Sequence, residues 1–429
     1  MLDKKLFKNI FSMFSIQGLN YLIPLITVPY LVRVLGISEF GTYSLILAVI
    51  QYFVIFGDYG FNLSASRQIS IKVDDIHEVS KVFFSVMFCK VVIAILGFFI
   101  LIISSTFYVI IRENIMLFII GYTVVIGTTF YPIWLFQGYE MMQWIAISNF
   151  LAKIVGVVII FSLVESKQDI WIALLSQGVV GVFASIIALF KAYHEKLLVL
   201  VFPGYNDIKK QLKLGWNIFI SSFFVSLYTT SIPIILGFTS GADSVGIYTA
   251  ADKLKQALQG LIGPVSQAIY PRSNRIMMES RERALNFVKK IGFILVTPMV
   301  IVSFIVTIMS EDIIKFVFGA GHVGSSIVLG IIIWIPPIVA IANLLGVQLL
   351  LPMGLSKKFG YCYIIVGLIG LPCLLVLSSL YSYVGVAYVA VCVEFSIVVL
   401  FSFIVISECK RFNKGQADDI VINMHTNKK

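Results

Sequence analysis

The 429-residue chain is 59% hydrophobic and only 13% charged, with a mean hydropathy of +0.98. A soluble domain carries about 25% charged residues, so the composition excludes a water-soluble globular protein and describes a polytopic membrane protein. The formal net charge of +10 would suggest nucleic acid in a soluble chain. Here it reads as the Lys/Arg excess of loops on one membrane face, and no nucleic-acid partner is expected.

Lipid offers backbone groups no water, so spanning segments are helices or a closed barrel. The apolar runs are continuous rather than alternating, which predicts helices. About 20 apolar residues cross a bilayer, and twelve spans are expected near 10–32, 40–62, 82–104, 115–137, 143–164, 170–192, 214–237, 247–270, 291–310, 325–351, 359–380 and 384–407. The N-terminus passes from Lys4, Lys5 and Lys8 directly into span 1 without a small-residue cleavage site, so no cleaved signal peptide is expected. Span 1 carries Gln17, Asn20, Pro24 and Thr27 on one face, and Pro24 and Pro29 should kink it. Span 2 holds one charge, Asp58, and LSASRQ then brings Arg67 just past its end. Lys90 lies in span 3, and Lys153 and Glu394 lie near mid-depth of spans 5 and 12. Span 8 presents Lys253, Gln256, Gly260, Pro264 and Gln267 on one face, with Asp252 and Lys255 at the i, i+3 spacing of a local pair.

An even span count puts both termini on one side. That side collects 24 Lys/Arg, against Arg33, Arg112, Lys167 and Lys315 on the other, so the termini are expected in the cytoplasm. The chain also repeats itself. Asn9-Ile10-Phe11 matches Asn217-Ile218-Phe219, and Gly36, Gly41, Tyr43 and Gln51 match Gly241, Gly246, Tyr248 and Gln256 at a constant offset. A parallel repeat of six spans predicts a pseudo-two-fold along the membrane normal, with a central cleft. The expected fold is an all-α bundle of two six-helix lobes. The lobes are expected at 1–205 and 206–409, with a cytoplasmic tail at 410–429.

Ionisable groups within lipid face protein or water. Four cations (Lys90, Lys153, Lys253, Lys255) stand against Asp58, Asp252 and Glu394 in the spans, with Arg33 at the outer mouth. A net cationic cavity formed by these residues with Gln17, Asn20 and Gln256 would suit an anionic cargo, although Lys90 has the option of snorkelling to the cytoplasmic face. Catalytic chemistry finds no support. His77, His194, His322 and His425 are isolated, the five cysteines form no C-x-x-C pair, and Asp74-Asp75 and Asp418-Asp419 read as loop charge. Gly319, Gly321 and Gly324 spell G-x-G-x-x-G after a membrane helix rather than a strand, so the dinucleotide reading fails. No cofactor is expected.

GDYGFNLSASR (57–67), YPIWLFQGYEMM (131–142), VGIYTAADKLKQALQGLIGPVSQAIYP (245–271) and GVQLLLPMGLSKKF (346–359) resemble motifs of polysaccharide (O-antigen) repeat-unit flippases. These belong to the multidrug/oligosaccharidyl-lipid/polysaccharide exporter superfamily. The resemblance runs the length of the chain and implies a MATE-like, V-shaped bundle in a bacterial inner membrane. It implies a cargo of undecaprenyl-diphosphate-linked glycan, with membrane lipid, a polysaccharide polymerase and a chain-length regulator as partners. On the same basis the inner-end acid and base fall on Asp58 and Arg67, and the span-8 lysine on Lys253. An inside-negative potential favours outward movement of an anion by roughly 2.3 kcal/mol per charge per 100 mV. Proton or Na+ coupling is expected at Asp58, Asp252 or Glu394. The rival readings are a drug exporter of the same fold, which would want an acidic cavity, and a membrane polymerase, which would want a large outer loop.

Overall fold

A computed structural model of the chain describes residues 4–319 and 321–426; side chains at 4–22, 217, 221, 224, 225, 228, 229, 409 and 411–426 fall outside that description. Gln17 and Asn20, expected on a cavity face, are among these. Every regular element among the described residues is helical.

The first two spans share one element, α1 (Lys4–Asp58). No loop separates them: Gly36 alone, at φ 78° and ψ 169°, turns the chain through a conformation that essentially only glycine adopts. Tyr59 and Gly60, both at positive φ, end α1 before α2 (Phe61–Ile71) starts. Asp75 caps α3 (Ile76–Phe107), accepting from the backbone N–H groups of His77 and Glu78 at 3.0 and 3.1 Å. The fourth span, expected as one helix, is fractured. After α4 (Val109–Glu113) come α5 (Ile115–Gly121), α6 (Thr123–Phe130) and α7 (Ile133–Gly138). Pro132 lacks an N–H and pushes Tyr131 out of the helical region, to φ −84° and ψ 107°. α8 (Met142–Leu163) and α9 (Ile170–His194) complete the first half.

The second half opens with α10 (Tyr205–Thr229) and α11 (Ser231–Gln259), then α12 (Ile262–Glu279), α13 (Arg281–Ile308) and α14 (Ser310–Phe318). α15 (Val323–Ile332), α16 (Ile335–Leu345) with a π-helical turn at Gly346–Leu350, and α17 (Ser356–Thr426) finish it. Among the described residues eight segments are long and apolar enough to cross a membrane. Two of them, Ile23–Ile71 and Ser356–Glu408, run to 49 and 53 residues. Each is turned between two crossings, at Gly36 and at Ser382, and the first also breaks at Tyr59 and Gly60 before α2. α10 with α11 up to Gly241, and the rest of α11 with α12, supply the seventh and eighth crossings, which gives the expected twelve.

The repeat is visible in the backbone. Gly241, 205 residues after Gly36, turns α11 at φ 82° and ψ 175°, close to the angles of its counterpart. The two turned helices cross where no side chain fits. A Cβ on Gly41 would stand 1.9 Å from the Ala242 carbonyl oxygen, and one on Gly246 2.1 Å from that of Ile37. Ile37 and Ala242 are themselves 205 apart, so the crossing is self-complementary, as a two-fold requires.

The apolar cores explain the V shape. At the glycine end a single cluster draws on both halves, from Leu35, Phe40 and Ile46 to Val245, Tyr248 and Val328. At the opposite, Lys/Arg-rich end the halves keep separate cores, one around Phe61 and Trp134 and the other around Ile269 and Phe401. The lobes are thus fused at the glycine end and separately packed at the basic end. Along one side of the basic end α10 docks on the first lobe, where Gln68 and Gln211 exchange amide hydrogen bonds of 2.7 and 3.2 Å and Tyr59 stacks on Phe219.

Candidate functional site: a polar cavity at the seam

Between the lobes lies a cavity of about 900 Å³, near the upper end of the roughly 300–1,000 Å³ typical of small-molecule sites. α1 and α11 form facing walls, and Gln177 of α9, Asn343 of α16 and Glu394 of α17 close the rest. Asp252, Gln256 and Gln259 recur at helical spacing, so α11 aims one polar face at the seam.

The charged groups of the cavity are tied to one another. Lys255 pairs with Asp252 at 2.6 Å, the i, i+3 contact expected from spacing, and Gln256 donates to the other Asp252 oxygen at 2.6 Å. Glu394 lies within electrostatic reach of Lys255. Lys253 reaches Gln256 Oε1 at 3.5 Å, a weak contact, and no carboxylate pairs with it among the described residues. Lys253 is therefore the cavity ammonium with no carboxylate partner among the described residues. The tyrosines of the repeat sit in the same walls. Tyr43 shares a side-chain hydrogen bond with Gln177, and Tyr248 faces Asp252 and Glu394.

Of the expected cavity set, Lys253, Lys255 and Gln256 line this cavity, and the expected ion-coupling carboxylates Asp252 and Glu394 line it with them. Arg33, Lys90 and Lys153 do not, and the reason differs for each. Arg33 projects along the glycine end and donates from Nη2 and Nε to the Phe316 and Val317 carbonyls at 2.5 and 3.0 Å. These carbonyls close the C-terminus of α14, the negative pole of that helix. Arg33 thus fastens one lobe to the other. Lys153 is half-buried on α8 and lines no part of the cavity. Lys90 is only 4% exposed and turns into the first lobe. There it donates to the Thr128 carbonyl at 2.9 Å and lies 4.6 Å from the Trp134 ring centroid. Without these three the seam holds two ammonium and two carboxylate groups, a formal balance in place of the expected positive excess.

Lys90 belongs to a second polar constellation. Asp58 is the carboxylate that feels its charge, and Asp58 also accepts from the Asn62 backbone N–H. Arg67, nine residues after Asp58, is exposed on α2 and does not balance it. Eight buried side-chain polar atoms among the described residues lack a hydrogen-bond partner. Five lie in this region, on Asp58, Asn62, Ser64, Thr129 and Trp134, so the first lobe concentrates polar strain at its basic end.

Sequence reasoning missed Gln51, Gln177, Gln259, Asn343, Tyr43 and Tyr248 as cavity residues. Gln51, Tyr43 and Tyr248 carried a usable signal, since each pairs across the repeat. Gln177 and Asn343 carried none, because only tertiary packing turns α9 and α16 toward the seam.

Two repeat-related lobes around a polar seam cavity define an all-helical, multi-pass membrane protein. The structure of the lipid II flippase MurJ in an inward closed conformation shares this fold, with a TM-score of 0.74 at 15% identity, covering 92% of this chain and 87% of that one. An inward-facing multidrug resistance MATE family transporter gives 0.70 at 13% identity, with coverages of 91% and 96%. A putative O-antigen transporter of Escherichia coli K12 is 34% identical over 390 residues, covering 90% of this chain and 93% of its own length. One from Shigella dysenteriae is 32% identical over 271 residues, covering 63% and 67%. The model of the family described as "Polysaccharide biosynthesis protein" matches residues 6–277, and the chain belongs to that family.

Proposed function

We propose that the protein is a transporter, not an enzyme, that moves a polyprenyl-diphosphate-linked oligosaccharide from the cytoplasmic to the periplasmic leaflet of the inner membrane. The observation that carries this reading is Lys253, an ammonium with no ion pair among the described residues, in a seam cavity between duplicated lobes. A diphosphate entering a low-dielectric cleft needs such a counter-charge, while the polyprenyl tail stays in lipid. The Lys/Arg bias of the loops supports a cytoplasmic position for the separately packed end and a periplasmic one for the glycine crossing. The separate cores of the basic end then support loading from inside, and parting of the crossing supports release outside. Asp252 and Glu394 in the cavity and Asp58 in the first lobe are the carboxylates that a coupling proton or Na+ would load.

A second reading, an ion-coupled exporter of small organic cations, is favoured by those same two cavity carboxylates. Reconstituted proteoliposomes separate the two. The cargo reading expects leaflet translocation of a lipid diphosphate glycan, slowed at least ten-fold by Lys253→Ala and largely retained by Lys253→Arg, with unchanged melting in both variants. Transport of a cationic dye but not of the glycolipid, or full glycolipid transport by Lys253→Ala, would overturn it.

A further inference from the structure

Five primary amides line one cavity within the spanning region: Gln51, Gln177, Gln256, Gln259 and Asn343. Amides at that depth are costly unless they are wet or bound. Gln177 and Gln256 already have Tyr43 and Asp252 as partners, and a pyrophosphate, which only accepts hydrogen bonds, leaves the amide carbonyl oxygens unused. Each amide offers two donors and a carbonyl acceptor, the complement of a sugar hydroxyl, which gives and takes one hydrogen bond at once. Gln51 is exposed to the cavity and has no hydrogen-bond partner among the described residues. Its repeat counterpart, Gln256, is also exposed, on the opposite wall. Among the described residues the cavity holds two ammonium and two carboxylate groups. With Lys255 paired to Asp252 and Lys253 engaged by the diphosphate, no further cation remains for an acidic sugar.

We propose that the seam amides form a glycan subsite for an uncharged, hydroxyl-rich oligosaccharide, with Gln51 and Gln256 gripping it from the two lobes. The inference rests on the cargo reading above and adds a specificity element to it. Lys253 holds the diphosphate, and the amides choose the sugars. Because the two glutamines sit on opposite lobes, a glycan seated between them bonds both at once, so only a sufficiently long head draws the lobes together.

The test uses the full-length protein in proteoliposomes with two cargoes on the same polyprenyl diphosphate, a neutral oligosaccharide and a single neutral sugar. Gln51→Leu and Gln259→Leu should slow the oligosaccharide at least ten-fold more than the single sugar, with melting unchanged. Equal slowing of both cargoes, or of neither, overturns the subsite and leaves the cargo reading standing. Failure of the wild-type protein to move either cargo overturns the cargo reading itself. A second readout does not depend on transport. In a protein with Cys373, Cys392 and Cys409 replaced by Ser, soluble neutral oligosaccharide should protect Gln51→Cys from a thiol reagent at least five-fold. A uronic-acid oligosaccharide of equal length should not protect it. Equal protection by both, or by neither, contradicts the proposal.

Discussion

Placing a valine at Gly41 or Gly246 should remove folded protein altogether. At both positions a Cβ would stand about 2 Å from a backbone carbonyl oxygen of the opposite lobe (1.9 and 2.1 Å). Backbone on both sides leaves nothing flexible to give way. Relief requires prying apart the two turned helices, and with them the one core cluster that both lobes share. Overpacking ordinarily costs about 1–3 kcal/mol; a clash that opens a core belongs with the exceptional changes above ~4 kcal/mol. Gly57→Ala is the control. Nothing lies within 4 Å of its Cβ, and Gly→Ala in a helix stabilises by up to about 1 kcal/mol. Yield of monodisperse protein and its melting temperature decide the matter, and a Gly41→Val protein that melts like wild type would remove the crossing from the account.

Lys90→Met should be the second severe change, and its signature is recovery in a double variant. The Lys90 ammonium is buried and directed to the Thr128 carbonyl and the Trp134 ring. Removing it leaves the Asp58 carboxylate without its compensating charge, in a region that already holds five unpartnered polar atoms. Breaking a contacting buried pair by deleting one member costs about 3–5 kcal/mol, whereas replacing both is often close to neutral. Lys90 and Asp58 act on each other at longer range, so the loss should fall below that figure with the same sign of coupling. Asp58→Asn/Lys90→Met should therefore be more stable than Lys90→Met alone. Thermal unfolding of the single and double variants measures the coupling. If the two substitutions simply add, the two groups do not compensate each other. Arg67→Met, on an exposed side chain of α2, should change stability by no more than about 0.5 kcal/mol.

The repeat and the cavity were legible to different degrees, for physical reasons. Gly36 and Gly241 could be matched from sequence because the backbone turn there excludes other residues, so duplication preserves the residue along with the shape. The Asp252–Lys255 pair was legible because it is local to one helix. Lys253 was legible too, from the polar face it shares with Gln256; the destinations of Lys90 and Lys153 were not. Both sit inside apolar helices, and a count of charges says nothing about which way a helix is rotated about its axis. Lys253 faces the seam, Lys90 turns into its own lobe, and the difference is set by how α3 and α11 pack. Arg33 looked like a cavity group at the outer mouth, but it is engaged by the end of α14, a partner 283 residues away. The break in the fourth span could have been read from Pro132, whose ring forbids the helix that the hydropathy pattern alone suggests.

Release on the far side requires the glycine crossing to part in every transport cycle. In a protein freed of Cys373, Cys392 and Cys409, Ile37→Cys and Ala242→Cys place one thiol on each lobe beside that crossing. A short, reducible thiol-to-thiol cross-linker between them should stop leaflet translocation of the lipid-linked glycan, and reduction should restore it. Undiminished translocation by fully cross-linked protein would contradict the account.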